Sequence, residues 1–220
     1  MSKEENYKTL TSDLKIIIIG NSGSGKTSFV NKWVKNEFNE IYKATIVSEY
    51  SSKIYKYEDK IYNINVWDIA GQDRYAAITK AFSKNTHGCI TMSDVMNPNS
   101  LTETLAWKNI LDETELLCDG GKIPNVLIEN KVDLVEENEA KNISQLEEFC
   151  KKNEFDACFK TSAKTGYNIK ESMEKLISII IKRLNSYSEK NNNLNRNTLA
   201  IDPDKHSEKD KYRTKQSGCC

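Results

Sequence analysis

No excess of either charge marks this chain: across its 220 residues, 32 lysines and arginines balance 32 aspartates and glutamates. Bulk charge therefore draws it neither to nucleic acid nor to an acidic substrate. Long hydrophobic runs are missing too, and nothing approaches the roughly 18 to 20 apolar residues that a membrane-spanning helix needs. The polar N-terminus, "MSKEENYKTLTSDLK", carries no signal-peptide block, so a soluble, cytosolic body is expected. The six cysteines, Cys89, Cys118, Cys150, Cys158, Cys219 and Cys220, contain no C-x-x-C pair, which argues against a zinc site or a disulfide framework. The first four read as small apolar residues. The two histidines, His87 and His206, suggest no triad or metal centre. Asn142, Ile143 and Ser144 form a glycosylation sequon that a cytosolic chain leaves unmodified. There is no internal repeat.

What is present is a regular alternation. Leu14 to Ile19 is a short β-branched run bounded by Gly20, the pattern of a fully buried strand, and Lys26 to Asn36 follows as a helix. Val47 to Tyr57 and Ile61 to Trp67 read as strands joined by a hairpin turn at Tyr57, Glu58 and Asp59. Gly88 to Ser93, Asn125 to Glu129 and Ala157 to Lys160 are further strands. Helical patterns lie near Ala76 to Ser83, Leu101 to Leu117, Ser144 to Asn153 and Ile169 to Leu184. Strands alternating with helices predict an α/β, three-layer fold: a mostly parallel six-stranded sheet with one antiparallel strand and helices on both faces. The domain is expected over 1–185. The Asn-, Lys- and Ser-rich segment 186–220 is expected to be a disordered tail, too poor in apolar residues to offset its chain entropy.

In such sheets ligands sit beyond the carboxyl ends of strands, so chemistry is sought in the loops there. After the first strand comes "GNSGSGKT", Gly20 to Thr27, which fits G-x-x-x-x-G-K-S/T with a strand before it and a helix after it. Glycines let the backbone fold inward and aim N–H groups at a polyphosphate, and the helix start adds its positive dipole end. Ser22, Gly23, Ser24, Gly25 and Ser28 belong to this cradle. Lys26 can reach the β- and γ-phosphates, and Thr27 can ligate Mg²⁺. "NKVD" follows the strand "PNVLIE". The Asp133 carboxylate can accept the N1–H and N2 donors that guanine has and adenine lacks. Asn130 can add a base contact and tie loops together, and the Lys131 stem can cover the base. "TSAK", with Ser162, Ala163 and Lys164, offers a backbone N–H to the guanine oxygen. In "WDIAGQDRY", Asp68 can hold a Mg²⁺ water, Gly71 can bring its N–H close to a γ-phosphate, and Gln72 can orient an attacking water. In "YKAT", which begins at Tyr42, Thr45 can supply a second hydroxyl to Mg²⁺.

With these strings in order, Leu14 to Leu184 resembles a Ras-superfamily small GTPase of the Rab family. "YKAT" is similar to switch I and "WDIAGQDRY" to switch II. The resemblance implies GTP/GDP as ligand and Mg²⁺ as cofactor, bound by Thr27, Thr45 and Asp68. It implies catalysis through Gln72 and Lys26, with Tyr42 among the nucleotide contacts and Phe38 stacked on the guanine edge. It also implies vesicle trafficking, a GTPase-activating protein, an exchange factor, a GDP-dissociation inhibitor or escort protein, and effectors. Tyr50, Trp67 and Phe82 fall where Rabs carry an effector-facing aromatic triad; ordinary core packing explains them equally well. Val47 stands where Rabs usually have glycine, and "FSKNT" stands where they often have "YYRGA". Ile69, Tyr75 and the "GGKIP" loop point to the branch tied to lysosome-related organelles.

No arginine is placed in cis as a finger, Arg74 included, so slow intrinsic hydrolysis is expected. The chain ends "KQSGCC". Two lipidated cysteines, Cys219 and Cys220, would anchor where one chain binds only marginally. Lys205, Lys209, Lys211, Arg213 and Lys215 against Glu208 and Asp210 add a mild attraction to an anionic leaflet. The expected location is the cytoplasmic face of an intracellular membrane, cycling with the cytosol. Two rival classes are a P-loop phosphotransferase, against which Asp133 speaks, and a guanine-nucleotide-binding scaffold without efficient hydrolysis, against which Gln72 and Thr45 speak.

Overall fold

The computed structural model describes residues 10–41, 43–71, 81–113, 117 and 120–198. Tyr42, Gln72, Arg74, Tyr75, Cys118, Cys219 and Cys220 lie outside them, as does most of the helix expected near Ala76 to Ser83. Six strands form one sheet: β1 (Leu10–Gly20), β2 (Ser48–Tyr57), β3 (Lys60–Ile69), β4 (Gly88–Asp94), β5 (Asn125–Asn130) and β6 (Ala157–Lys160). Their order is β2-β3-β1-β4-β5-β6. Only the β2–β3 pair is antiparallel. The helices are α1 (Lys26–Lys35), α2 (Ser100–Asp112), α3 (Glu137–Lys141), α4 (Ser144–Lys152) and α5 (Ile169–Thr198), with a 3₁₀ turn at Val132–Leu134.

The isoleucine run explains the layering. Side chains alternate across a strand, so Ile16 and Ile18 enter one core and Ile17 and Ile19 the other. The first core takes Phe29, Val30 and Trp33 of α1 and Met173, Leu176, Ile177, Ile180 and Ile181 of α5. The second takes Trp107 and Leu111 of α2. A strand covered on both faces has no need of polar residues, hence four isoleucines in a row. Ile18→Ala should lower stability by about 2–5 kcal/mol, because the site is sealed and cannot collapse; urea unfolding at fixed nucleotide concentration measures it.

The bounds differ from expectation in places. β1 begins at Leu10 because it extends along β3, through an irregularity between Leu10 and Ser12. α2 stops at Asp112 rather than Leu117, where the buried face ends at Leu111 and the chain turns through Gly120 (φ 76°). α5 runs to Thr198, past the expected domain limit, since no glycine or proline interrupts it before Pro203. The short α3 buries no side chain and is supported by the Glu137–Lys141 ion pair.

Candidate functional site

The loops after β1, β3, β5 and β6, joined by the segment between α1 and β2, enclose a cleft of about 530 Å³, the size of a small-ligand pocket. Ser22, Gly23, Gly25, Lys26, Thr27, Ser28, Phe38, Thr45, Gly71, Asn130, Lys131, Asp133, Ala163 and Lys164 line it. Residues from five separate strings of the sequence thus meet in one place. Ser24, Ser162 and Asp68 do not line the cleft, and Asp68 lies buried behind Thr27 and Thr45. Each serine is buried and braces the cleft, Ser24 by an Oγ–H donated to the Asn21 carbonyl at 2.9 Å, Ser162 by one donated to Asp133 Oδ1 at 2.5 Å. Tyr42 and Gln72 are the two expected cleft residues outside the described set.

The loop from β1 into α1 is shaped for an anion. Gly25 caps α1 in the left-handed region (φ 95°), and a Cβ there would meet Asn130 Nδ2 at 2.3 Å. No side chain caps α1, so its first N–H groups are offered to a ligand. The Lys26 ammonium is 6% exposed and donates to the Gly20 and Asn21 carbonyls at 2.8 and 2.9 Å. Burial pushes its pKa down to about 8, with Asp68 opposing. A bound phosphate would restore the charge that burial penalises.

Beside it three oxygens converge. Thr27 Oγ1 lies 3.0 Å from Thr45 Oγ1 and donates to Asp68 Oδ2, which Thr45 approaches at 3.4 Å. Asp68 is 1% exposed, and its Oδ1 is buried without a hydrogen-bond partner among the described residues. Burial raises its pKa to about 6, while Thr27 and Lys26 pull it down. A buried carboxylate oxygen without a partner is costly unless something positive comes to it. One carboxylate and two hydroxyls are the hard, sparse donor set that suits Mg²⁺, which keeps waters and takes substrate phosphates as further ligands. The donor set therefore fits the metal. Gly71 closes this end. Its carbonyl accepts the Ser22 N–H at 2.8 Å, and a Cβ on it would lie 2.4 Å from the Asn21 and Ser22 backbone.

At the far end Asn130 ties loops together. Its Nδ2 donates to the Ser24 carbonyl at 2.9 Å, and its Oδ1 accepts from Thr161 Oγ1 at 3.1 Å and from the Ala163 N–H at 3.2 Å. Both ends of this amide thereby join loops, with the second N–H of Nδ2 left over for a ligand. Lys131, in the left-handed region (φ 71°), pairs with Asp94 at 2.6 Å, which lays its stem along the cleft wall. Lys164 pairs with Glu40 at 3.3 Å across the opening, near the half-exposed Phe38. Asp94 and Glu40 carry no sequence signal that singles them out; their roles arise only when distant loops meet.

On the adjoining face, Tyr50, Trp67 and Phe82 do form a continuous aromatic array, with ring centroids 5.2 and 5.3 Å apart. Tyr50 is 54% exposed, so core packing does not account for it.

Residues 15–182 match the Ras family as a whole. The chain is 33% identical over 190 residues to the Ras-related protein Rab-32 of Mus musculus, covering 86% of this chain and 85% of that one. It is 33% identical over 164 residues to the Ras-related protein Rab-7L1 of Homo sapiens, covering 74% of this chain and 80% of that one. With the Ypt/Rab-type GTPase ypt7 of Schizosaccharomyces pombe it shares 32% identity over 173 residues, 79% of this chain and 84% of that one. The match over most of the chain and this breadth of similarity agree: the chain belongs to the Ras family, as a Rab-type small GTPase that hydrolyses GTP and acts in membrane trafficking.

Proposed function

We propose that this chain holds GTP or GDP with Mg²⁺ in the β1–α1 cleft and switches state on hydrolysis. The observation that carries this reading is the meeting of Lys26, Thr27, Thr45 and Asp133 in a single cleft, with the Asp68 carboxylate buried directly behind the two threonine hydroxyls. Asp133 would accept the guanine N1–H and N2 donors, and Phe38 would lie against the base. Lys26 and the α1 N-terminus would hold the phosphates. Thr27, Thr45 and Asp68 would hold Mg²⁺, which supplies charge neutralisation between the phosphates when bound. Gln72 would position the attacking water and Gly71 would present its N–H to the γ-phosphate. Thr45 and Gly71 sit on the two segments that the γ-phosphate would hold and release, which is the switch.

No arginine lines the cleft among the described residues. Intrinsic turnover should therefore be slow, roughly 10⁻⁴ to 10⁻³ s⁻¹, with an arginine from a GTPase-activating partner raising it by about 10³–10⁵. Single-turnover GTP hydrolysis tests this. Gln72→Leu should slow the intrinsic step about tenfold or more and abolish most of the partner's stimulation. Fast unaided turnover, or no effect of the substitution, would refute the assignment.

The array of exposed Tyr50 on half-buried Trp67 and Phe82 supports effector recognition beside the switch, and exchange factor and GDP-dissociation inhibitor would meet the same side. The body expected over 1–185 continues as helix α5 to Thr198, and the rest of 186–220 would be a tether whose Cys219 and Cys220 take two lipid chains, placing the protein on the cytoplasmic face of an intracellular membrane. The branch tied to lysosome-related organelles is the best fit, given Ile69. Cys219→Ser with Cys220→Ser should move the protein from the membrane to the cytosolic fraction; unchanged membrane recovery would argue against lipid anchoring.

A further inference from the structure

Helix α2 reaches the phosphate loop through a residue that belongs to none of the nucleotide contacts. The Trp107 indole, 5% exposed, donates its N–H to Asn21 Oδ1 at 2.6 Å. The Asn21 amide in turn donates to the Glu103 carboxylate. Glu103 and Trp107 stand at i and i+4, one above the other on α2, so a single face grips both ends of one side-chain amide. The backbone of the same residue faces the opposite way. The Asn21 carbonyl oxygen accepts from the Lys26 ammonium at 2.9 Å, from Ser24 Oγ at 2.9 Å and from the Ser24 N–H at 3.3 Å.

Asn21 is thus pinned to α2 by its side chain and holds the Lys26 ammonium by its carbonyl. The ammonium is buried and goes where its acceptors put it, and only the Gly20 carbonyl shares that task in the hydrogen bonds above. The buried indole N–H has its partner here, so the link is not free to drift. We propose that Glu103 and Trp107 are positioning residues for Lys26, fixing Asn21 so that the ammonium stays at the height the phosphates need. They thereby set how long nucleotide stays bound. The inference rests on the nucleotide reading of the cleft and adds a supporting wall to it.

The polarity of the link makes a direct test possible. Position 21 donates to a carboxylate at 103, so Asn21→Asp removes the donor and sets two carboxylates side by side. Adding Glu103→Gln returns a donor from the α2 side, while Trp107 can still donate to the carboxylate at 21. A role in packing alone would not follow this exchange, because the side chains keep their size.

The experiment loads each full-length protein with N-methylanthraniloyl-GDP in excess Mg²⁺ and follows fluorescence after adding unlabelled GDP. Asn21→Asp should release the probe about five- to tenfold faster than the wild type, and the paired exchange should return to within roughly twofold. Trp107→Phe, which keeps most of the packing and loses the N–H, should match the single Asn21 variant. Release at the wild-type rate from Asn21→Asp, or no recovery in the paired variant, overturns the proposal. If wild-type protein retains no guanine nucleotide, the reading of the cleft fails first, and the inference with it.

Discussion

Asp133→Ala is expected to accelerate GDP release by at least about 100-fold and to erase the preference for guanine over adenine nucleotides. The carboxylate would make two charge-assisted hydrogen bonds to the base, each worth about 1.5–3 kcal/mol when one partner is ionised. Losing both gives a factor of about 10² to 10⁴. Ser162 already donates to Oδ1 at 2.5 Å, which fixes the orientation of the group without exhausting it. A carboxylate has about four acceptor sites. The 3₁₀ turn at Val132–Leu134, tied to the loop after β6 by the Val132 N–H donating to the Thr161 carbonyl at 3.1 Å, keeps this acceptor at the cleft. Competition between GDP and ADP for the fluorescent probe measures the effect. A variant that still preferred GDP as strongly as the wild type would show that the base is read elsewhere.

Asp68→Ala should remove the Mg²⁺ dependence of nucleotide retention. In the wild type, chelating Mg²⁺ should speed GDP release by about 10²-fold, since the metal would neutralise charge between the phosphates and the buried carboxylate. In the variant, release should be fast with or without the metal. The Oδ1, without a partner among the described residues, and the carboxyl pKa raised by burial describe a group only half satisfied by Thr27 and Thr45. Its replacement by alanine therefore costs little fold stability, and the loss appears in nucleotide retention. Thermal unfolding of nucleotide-free protein separates the two. Release from Asp68→Ala that still responded to chelation would place the metal on other ligands.

Much of this was legible before any coordinates, and the reasons are local. Ile16 to Ile19 announces a strand buried on both faces because nothing else suits so many stiff, branched residues in a row. The places of Lys26 and Thr27 are readable because they sit in one short segment, and that of Asp133 because it lies in the turn after a strand, where such sheets bind ligands. The helix α5 beyond Leu184 was not legible, since no apolar face recurs once the core is left behind; only the lack of a breaker carries it on to Thr198. Asn130 was expected to tie loops as well as to meet the base, and its amide does join the Ser24, Thr161 and Ala163 segments. The Asn21–Trp107 bond joins residues far apart in the chain, and no local pattern ties them. Val47, the departure in switch I, is 43% exposed, and its carbonyl accepts the Ala70 N–H at 2.9 Å. A side chain there meets solvent and leaves the cleft unobstructed, in keeping with Thr45 still reaching Thr27.

The most direct measurement is to purify the full chain without added nucleotide, denature it and separate what it releases. GDP or GTP at nearly one per chain is the predicted result, since the cradle, the oxygen cluster and Asp133 act on one ligand. Adenine nucleotide, or an empty cleft that GDP with Mg²⁺ fails to fill, would contradict the account.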